Sequence, residues 1–300
     1  MDLLQQARAE IDMVDAEMAA LFERRMCAVA DVARYKAETG KPVFDAAREA
    51  AVLDKNTARI ADETLRPYYR AFLNDAMAVS RAYQRAQLGR DTAAYQGVPG
   101  AWSHITLRRL FPFARESAFA TWGEVFDAVQ KGDAQFGVLP FENSSAGDVS
   151  TVLDLLYTHP EIIVSRMCDM HIRQDLVAVP GATMETIKTV VSHPQALAQS
   201  NVFVQQHGFK TATWGNTADA ARHVAELGDP TVAAIASAET AELYGLQILS
   251  PGINAEGDNT TRFIVIERAD TAPTMTGEGQ RLALLFTARH KPGQLAAALD

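Results

Sequence analysis

The chain has 300 residues, 48% of them hydrophobic and 22% charged, a globular balance long enough for two or three domains. A formal net charge of -9 argues against nucleic acid or an anionic membrane as main partner, though a local cation cluster could still hold a small anion. Cys27 and Cys168 are the only cysteines, which favours a reducing compartment over a disulfide scaffold. The acid-bearing start "MDLLQQARAEIDMVD" does not read as a signal peptide, and no apolar run is long enough to span a bilayer, so a cytoplasmic protein is expected.

Residues 2 to about 88 read as all helix. Ile11, Val14, Met18 and Leu21 follow helical spacing, and Val29 and Val32 resume it, giving one long helix to about Glu38 that stops at Thr39-Gly40-Lys41-Pro42. A second helix is expected from about Asp45 to Ile60 and a third from about Thr64 to Leu88. The first is too long for the other two to cover, so a dimer that pairs helices is expected.

The apolar stripe of these helices carries polar residues. Arg25 falls where the first helix's stripe should continue, and Lys36, eleven residues on, is about 1100° round the helix and so on the same face. Asp45, Arg48, Glu49 and Val52 share one face of the second helix, and Leu73, Met77, Ser80 and Gln84 one face of the third. Arg8 adds a cation early in the first helix. A salt-bridged bundle would explain any one of these. So many on interior faces costs several kcal/mol each unless they are paired or meet a ligand. An excess of positive charge with a Gln and a Ser suits a small dianion bearing hydroxyl or ether oxygens.

The order Arg8, "ERR" ending at Arg25, Lys36, "PVFDAARE" with Asp45, Arg48 and Glu49, then Ser80 and Gln84 resembles the all-helical chorismate mutases over about 88 residues. The resemblance implies an intertwined dimer in which each site takes an arginine, here Arg8, from the partner chain. It implies a pericyclic rearrangement of chorismate to prephenate, with arginines clamping two carboxylates. Lys36 and Gln84 would stabilise the charge growing on the breaking ether oxygen. Asp45 and Glu49 would stand near the substrate hydroxyl.

From Thr92 the texture becomes α/β: "AAYQG", "AQFGVLP", "EIIVS", "DLVAV", "KTVVS", "TVAAIAS" and "RFIVIE" alternate with helical segments. Four polar knots punctuate it: "GVPGAWSH" (Gly97 to His104), "LPFENSSAG" with Glu142, Asn143, Ser144 and Ser145, "SHPQ" with Ser192 and His193, and "DNTTRF" with Asn259, Thr261 and Arg262. Each alone could be a cap or a turn. Together they put hydroxyls, amides and helix N-termini at several strand ends, where a dicarboxylate can bind. Two lobes are expected, about 92 to 168 with 250 to 268, and about 169 to 249.

In this order the knots closely resemble the prephenate dehydratases over about 92 to 268. The resemblance implies a two-lobed fold like the type 2 periplasmic-binding proteins. The threonine of "TRF", here Thr261, would be catalytic in the loss of water and carbon dioxide from prephenate, which gives phenylpyruvate. Glu142, Asn143, Ser144, Ser192, His193, Asn259 and Arg262 are the candidates for substrate contact. Val98 and Ala101 depart from the family's commoner Pro and Ser or Thr.

Residues 269 to 280 read as a linker, and "RLALLFTARHKPGQLAAALD" resembles the opening of an ACT domain, which in this family binds phenylalanine as effector. The whole reads as a multidomain bifunctional chorismate mutase–prephenate dehydratase, with chorismate and prephenate as ligands and no cofactor or metal implied. The alternatives are a chain with one inactive half, an arogenate dehydratase, and a carboxylate-binding module without turnover.

Overall fold

The computed structural model describes residues 2–89, 91–254, 259–270 and 291. The expected ACT opening and linker lie outside the described residues, apart from Lys291 and the residues up to Asp270. Two compact units form, Met1–Thr92 with Phe113–Arg115, and Ala93–Pro112 with Glu116–Asp300.

The first unit is helical. Helix α1 (Leu3–Thr39) is capped by Asp2, whose carboxylate accepts from the Gln5 N–H at 2.7 Å, and it ends at a left-handed Gly40. Helix α2 spans Ala46–Thr57, with Asp45 as its N-cap. Helix α3 (Arg66–Gln87) follows a short 3-10 turn at Glu63–Leu65 and carries Pro67 in its first turn, where no intrahelical N–H is needed. Both α1 and α2 pack on α3. The buried side chains of these helices are Ala33 on α1 and Met77, Ser80 and Gln84 on α3; α2 has none. Half of that set is polar. Conversely, Ile11, Val14, Met18 and Leu21 are 41–57% exposed.

The second unit holds two sheets. The first uses β1 (Thr92–Gln96), β2 (Arg115–Phe119), β3 (Phe136–Asn143), β4 (Gly147–Asp148), β5 (Ile162–His171) and β11 (Thr260–Arg268). Its order is β2-β1-β3-β11-β5, with β4 pairing β3. Strands β1 and β3 are parallel, while β11 runs antiparallel between β3 and β5. Helices α4 (Trp102–Leu110), α5 (Trp122–Lys131) and α6 (Ser150–Thr158) connect these strands. Phe126, Leu139, Ile264 and Ile266 lie in its core. The second sheet, in the order β10-β6-β9-β7-β8, is built from β6 (Asp175–Ala178), β7 (Thr189–Ser192), β8 (Lys210–Thr213), β9 (Val232–Ala236) and β10 (Gln247–Ser250). Helices α7 (Pro194–Gln199), α8 (Asn201–Gln206), α9 (Thr217–Leu227) and α10 (Ala238–Leu243) connect it. Its strand residues are Leu, Val, Ile and Ala at the centre, with Leu176, Val190 and Ile235 buried against one helical layer and Val177, Val191 and Ala234 against the other.

The chain crosses between the lobes twice. The outward crossing falls at residues 172–174, later than the sequence placed it, because β5 keeps pairing with β11 up to His171. The return lies between β10 and β11, and the two crossings run side by side. The Ile172 N–H donates to the Asn259 carbonyl at 2.6 Å, the Ile253 N–H to the Gln174 carbonyl at 2.8 Å, and the Gly252 N–H to the buried Asp175 carboxylate at 2.7 Å.

At Gly137 the sheet meets α5 with no room for a side chain: a Cβ there would lie 2.8 Å from both Ile266 Cγ1 and Val125 Cγ1. Gly137→Ala should therefore cost about 1–3 kcal/mol by overpacking. Thermal unfolding would read this as a Tm lowered by several degrees; an unchanged Tm would show that the layer has slack.

Candidate functional site

The helical unit gathers polar groups from all three helices. Arg25, half-buried on α1, donates from Nη1 to the Ala76 carbonyl at 3.2 Å and also bonds Ser80 Oγ. Ser80 in turn donates to the Ala76 carbonyl at 2.7 Å. One turn on, the buried Gln84 makes only a long 3.4 Å contact from Nε2 to the Ser80 carbonyl, and its Oε1 has no partner. The buried amide thus has its oxygen and one Nε2 proton open to a further partner. Lys36 reaches the Val43 carbonyl at 2.5 Å. Burial pulls its pKa below the ordinary lysine value, against the opposing pull of Asp45 and Glu49.

Other predicted residues take different places. Asp45 lies at the N-cap of α2, not in its first turn, and accepts from the Arg48 N–H at 2.9 Å. Arg48 and Arg8 are exposed. Glu49 is ion-paired to Arg81 of α3, a residue the sequence pattern did not single out.

In the α/β unit, the turn after β3 and the start of β11 meet at one end of the first sheet. Asn143 pairs with Thr261 across the ladder. Its Oδ1 accepts from the Ser145 and Ala146 N–H groups, both at 3.0 Å. That fixes the amide's orientation and leaves Nδ2 as donor. Nδ2 gives hydrogen bonds of 2.8 Å to Asn259 Oδ1 and 2.8 Å to Thr261 Oγ1. Thr261 therefore accepts from Asn143, and its own hydroxyl proton is turned elsewhere. Asn259, buried, donates from Nδ2 to Gln199 Oε1 of α7 at 3.1 Å, so an amide chain joins the lobes. Ser144 clamps Thr260: its N–H donates to the Thr260 carbonyl at 2.9 Å, and its Oγ accepts from the Thr260 N–H at 3.0 Å. A cleft of about 340 Å³ opens here, lined by Ser145, Gln195, Gln199, Asn254 and Asn259 among others.

Two neighbours in sequence point away. Alternation along β11 sends Arg262 to the face opposite Thr261. There it pairs with Asp169 of β5 at 2.8 and 3.2 Å and with Glu142 of β3 at 3.2 Å, stapling three strands. In this structure Arg262 and Glu142, both expected at the substrate, brace the three strands through these ion pairs while staying partly exposed. Ser192, also expected at the substrate, lies at the end of β7. It is fully buried and its hydroxyl donates to the Ile235 carbonyl at 2.7 Å, tying β7 to β9. His193 is the N-cap of α7. Its Nδ1 accepts from the Gln195 N–H at 3.3 Å, which puts the proton of the neutral ring on Nε2.

The Gly97–His104 knot bridges the lobes as well. The Gly100 carbonyl accepts from Thr240 Oγ1 at 2.8 Å and the Pro99 carbonyl from the Tyr244 hydroxyl at 2.7 Å, while buried His104 accepts the Gly100 N–H at 3.0 Å. Gly100 has φ +88 and sits 3.1 Å, measured from an added Cβ, from Thr240 Cγ2, so only glycine fits this contact. Among the described residues no cluster of His, Cys, Asp and Glu could hold a metal ion.

Comparison with known proteins accords with this layout. Residues 93–271 match the family model "Prephenate dehydratase" and residues 7–85 the model "Chorismate mutase type II". The bifunctional chorismate mutase/prephenate dehydratase of Neisseria gonorrhoeae is 32% identical over 309 residues, covering 100% of this chain and 81% of that protein. Arogenate dehydratase 1 of Petunia hybrida is 39% identical over 184 residues, covering 61% of this chain and 43% of its own. The crystal structure of prephenate dehydratase in complex with L-Phe from Arthrobacter aurescens matches with a TM-score of 0.61 at 27% identity, covering 70% of this chain and 71% of that one. The chain spans about half the length of the first curated relatives it matches.

Burial lowers the pKa of His193, so folding favours its neutral form. The folded state then binds fewer protons than the unfolded one, and this contribution is present above the usual histidine pKa and lost as pH falls through the lowered one. His193→Asn keeps an N-cap but does not titrate. Its Tm should fall less than the wild-type Tm between pH 7 and about pH 5, near the range where histidines charge. Equal losses would show that His193 does not contribute.

Proposed function

Because the chain belongs to the prephenate dehydratase family and carries a chorismate mutase type II segment ahead of that domain, we propose that it is a bifunctional enzyme of phenylalanine biosynthesis. It rearranges chorismate to prephenate in the segment 1–88, and dehydrates and decarboxylates prephenate to phenylpyruvate in the segment 92–268. The observation that carries this reading is the Thr261 hydroxyl, held as an acceptor by Asn143 beside a cleft between two lobes. A hydroxyl fixed that way has one thing left to do, which is to donate.

In the first step the enzyme needs no covalent intermediate. Arg25, with Arg8 from a second chain, holds the two carboxylates of the compact conformer. Lys36 and Gln84 donate to the ether oxygen as its bond to carbon breaks and charge grows there. Gln84 is supported by its unused hydrogen-bonding capacity, and Arg25 by its place beside buried Ser80. Asp45, Arg48 and Glu49 stand nearer the hydroxyl end. The exposed stripe Ile11, Val14, Met18 and Leu21 supports a dimer of paired α1 helices, in which exposed Arg8 serves the other chain.

In the second step the ring is ready to aromatise, so departure of hydroxide is the difficult event. Thr261 hydrogen-bonds the leaving oxygen and relays a proton from solvent to it, so that the C–O bond breaks with water departing and the Thr261 hydroxyl restored, while carbon dioxide leaves from the ring carbon and the electron pair of that C–C bond completes the aromatic ring. Asn143 orients Thr261, Asn259 extends the donor set, and His193 offers a neutral Nε2–H. Phenylalanine is proposed as effector through the ACT domain that residues 281–300 resemble. No helix among the described residues is long and apolar enough to cross a membrane, and a cytoplasmic location is part of the same proposal.

The test is to supply chorismate alone and identify the product at each stage. Arg25→Ala should stop consumption of chorismate while leaving added prephenate turning over. Thr261→Ala should accumulate prephenate, with dehydration slowed by about 10²–10⁴-fold, the usual worth of a positioned proton donor. Phenylpyruvate made at the wild-type rate by Thr261→Ala would remove Thr261 from the mechanism.

A further inference from the structure

Arg81 belongs to none of the residues assigned a role above, yet it sits within their cluster. It follows Ser80 on α3 and precedes Gln84 by less than one turn. Its Nη1 pairs with Glu49 Oε2 of α2, and the two side chains are only 26% and 21% exposed. Its guanidinium also lies 5.6 Å from the centroid of the Phe44 ring. Arg81 thus grips both the start of α2 and the connection that leads into it.

Beside this pair stands Lys36, which feels Glu49 and Asp45 as attractive charges but makes its close contact with a neutral oxygen, the Val43 carbonyl. Two cations therefore compete for the Glu49 carboxylate. The planar guanidinium fork fits a carboxylate better than an ammonium does and is less strongly hydrated, so it wins. The ammonium has three protons, and with one on Val43 it keeps two for another acceptor. Had Lys36 taken Glu49 instead, its charge would be neutralised in the ground state before any substrate charge developed.

We propose that Arg81 is a positioning residue of the mutase site, which sequesters Glu49 and so keeps the Lys36 ammonium available to the reacting ether oxygen. The proposal rests on the mutase reading for its consequence, but the Arg81–Glu49–Lys36 relation is measurable without turnover. If Arg81 is removed, Glu49 is left half-buried without its partner and turns to Lys36.

The experiment uses the 300-residue chain in five forms: wild type, Arg81→Met, Arg81→Lys, Glu49→Gln and the double variant R81M/E49Q. Two readouts are needed, chorismate consumption and the titration of Lys36 followed by NMR of its ε-carbon. Arg81→Met should lower kcat about tenfold, within the range that coupled neighbours reach, with a smaller change in KM. Arg81→Lys should recover part of the loss. In the Glu49→Gln background, itself slower, Arg81→Met should cost little more, since no carboxylate remains to capture Lys36. The charged groups facing Lys36 are Asp45 and Glu49 from the α2 side, with Arg81 behind Glu49 on α3. In Arg81→Met the Lys36 titration should accordingly move to higher pH. Equal rate losses in both backgrounds, or an unmoved Lys36 titration, would overturn the proposal. A wild-type chain that leaves chorismate untouched would instead sink the mutase reading, and the Lys36 titration would still decide the role of Arg81.

Discussion

The α/β unit depends on one placement, that of β11 between β3 and β5. The strand is the last described element of the chain, yet it takes an interior place in the first sheet, and residues 263–267 are buried along its length. To reach that position the chain must leave the first lobe, build the second and return. The return forces two crossings to lie side by side and brings Thr261 level with Asn143, far away in sequence. The core of the lobe and the geometry of the hydroxyl are therefore fixed by the same ladder. A register slip of one residue would send Thr261 to the face now held by Arg262.

That ladder also separates two kinds of polar residue that look alike in sequence. On one face, Thr261, Asn143 and Asn259 share neutral hydrogen bonds whose directions are set by backbone donors to Asn143. On the other, Arg262, Glu142 and Asp169 form an ion-paired brace. The brace is half exposed and contributes modestly to stability. The amide set is withdrawn from solvent, where hydrogen bonds are stronger and an unpaired group is costly.

The helical unit reaches a similar end by another route. Its interior is short of apolar side chains, and Ser80 and Gln84 occupy places a bundle of this size would normally give to Leu or Ile. Arg25, Lys36 and Glu49 are part-buried beside them, which costs desolvation energy. Much of α1's apolar surface faces outward at the same time. The interior of the described helices is polar where apolar packing would stabilise it more, and apolar residues of α1 lie exposed.

The sequence by itself determined the fold class, the order of the elements and the types of residue at the polar clusters. Helical spacing exposed Arg25, Lys36, Ser80 and Gln84 on an apolar stripe, and the buried strands β3, β6, β7, β9 and β11 announced themselves as apolar runs between turn residues. Strands β2, β8 and β10 were not legible, because each lies at a sheet edge, where one side meets solvent and no continuous apolar run is required. Direction and partnership were decided only by the tertiary structure. Whether Arg262 joins Thr261 or turns its back depends on strand alternation in a fixed register. That the Ser192 hydroxyl meets the Ile235 carbonyl depends on which strand lies beside β7. Gln199 and Arg81 carried no pattern of their own; each meets its partner on another element, and sequence spacing encodes neighbours within an element but not across the space between two.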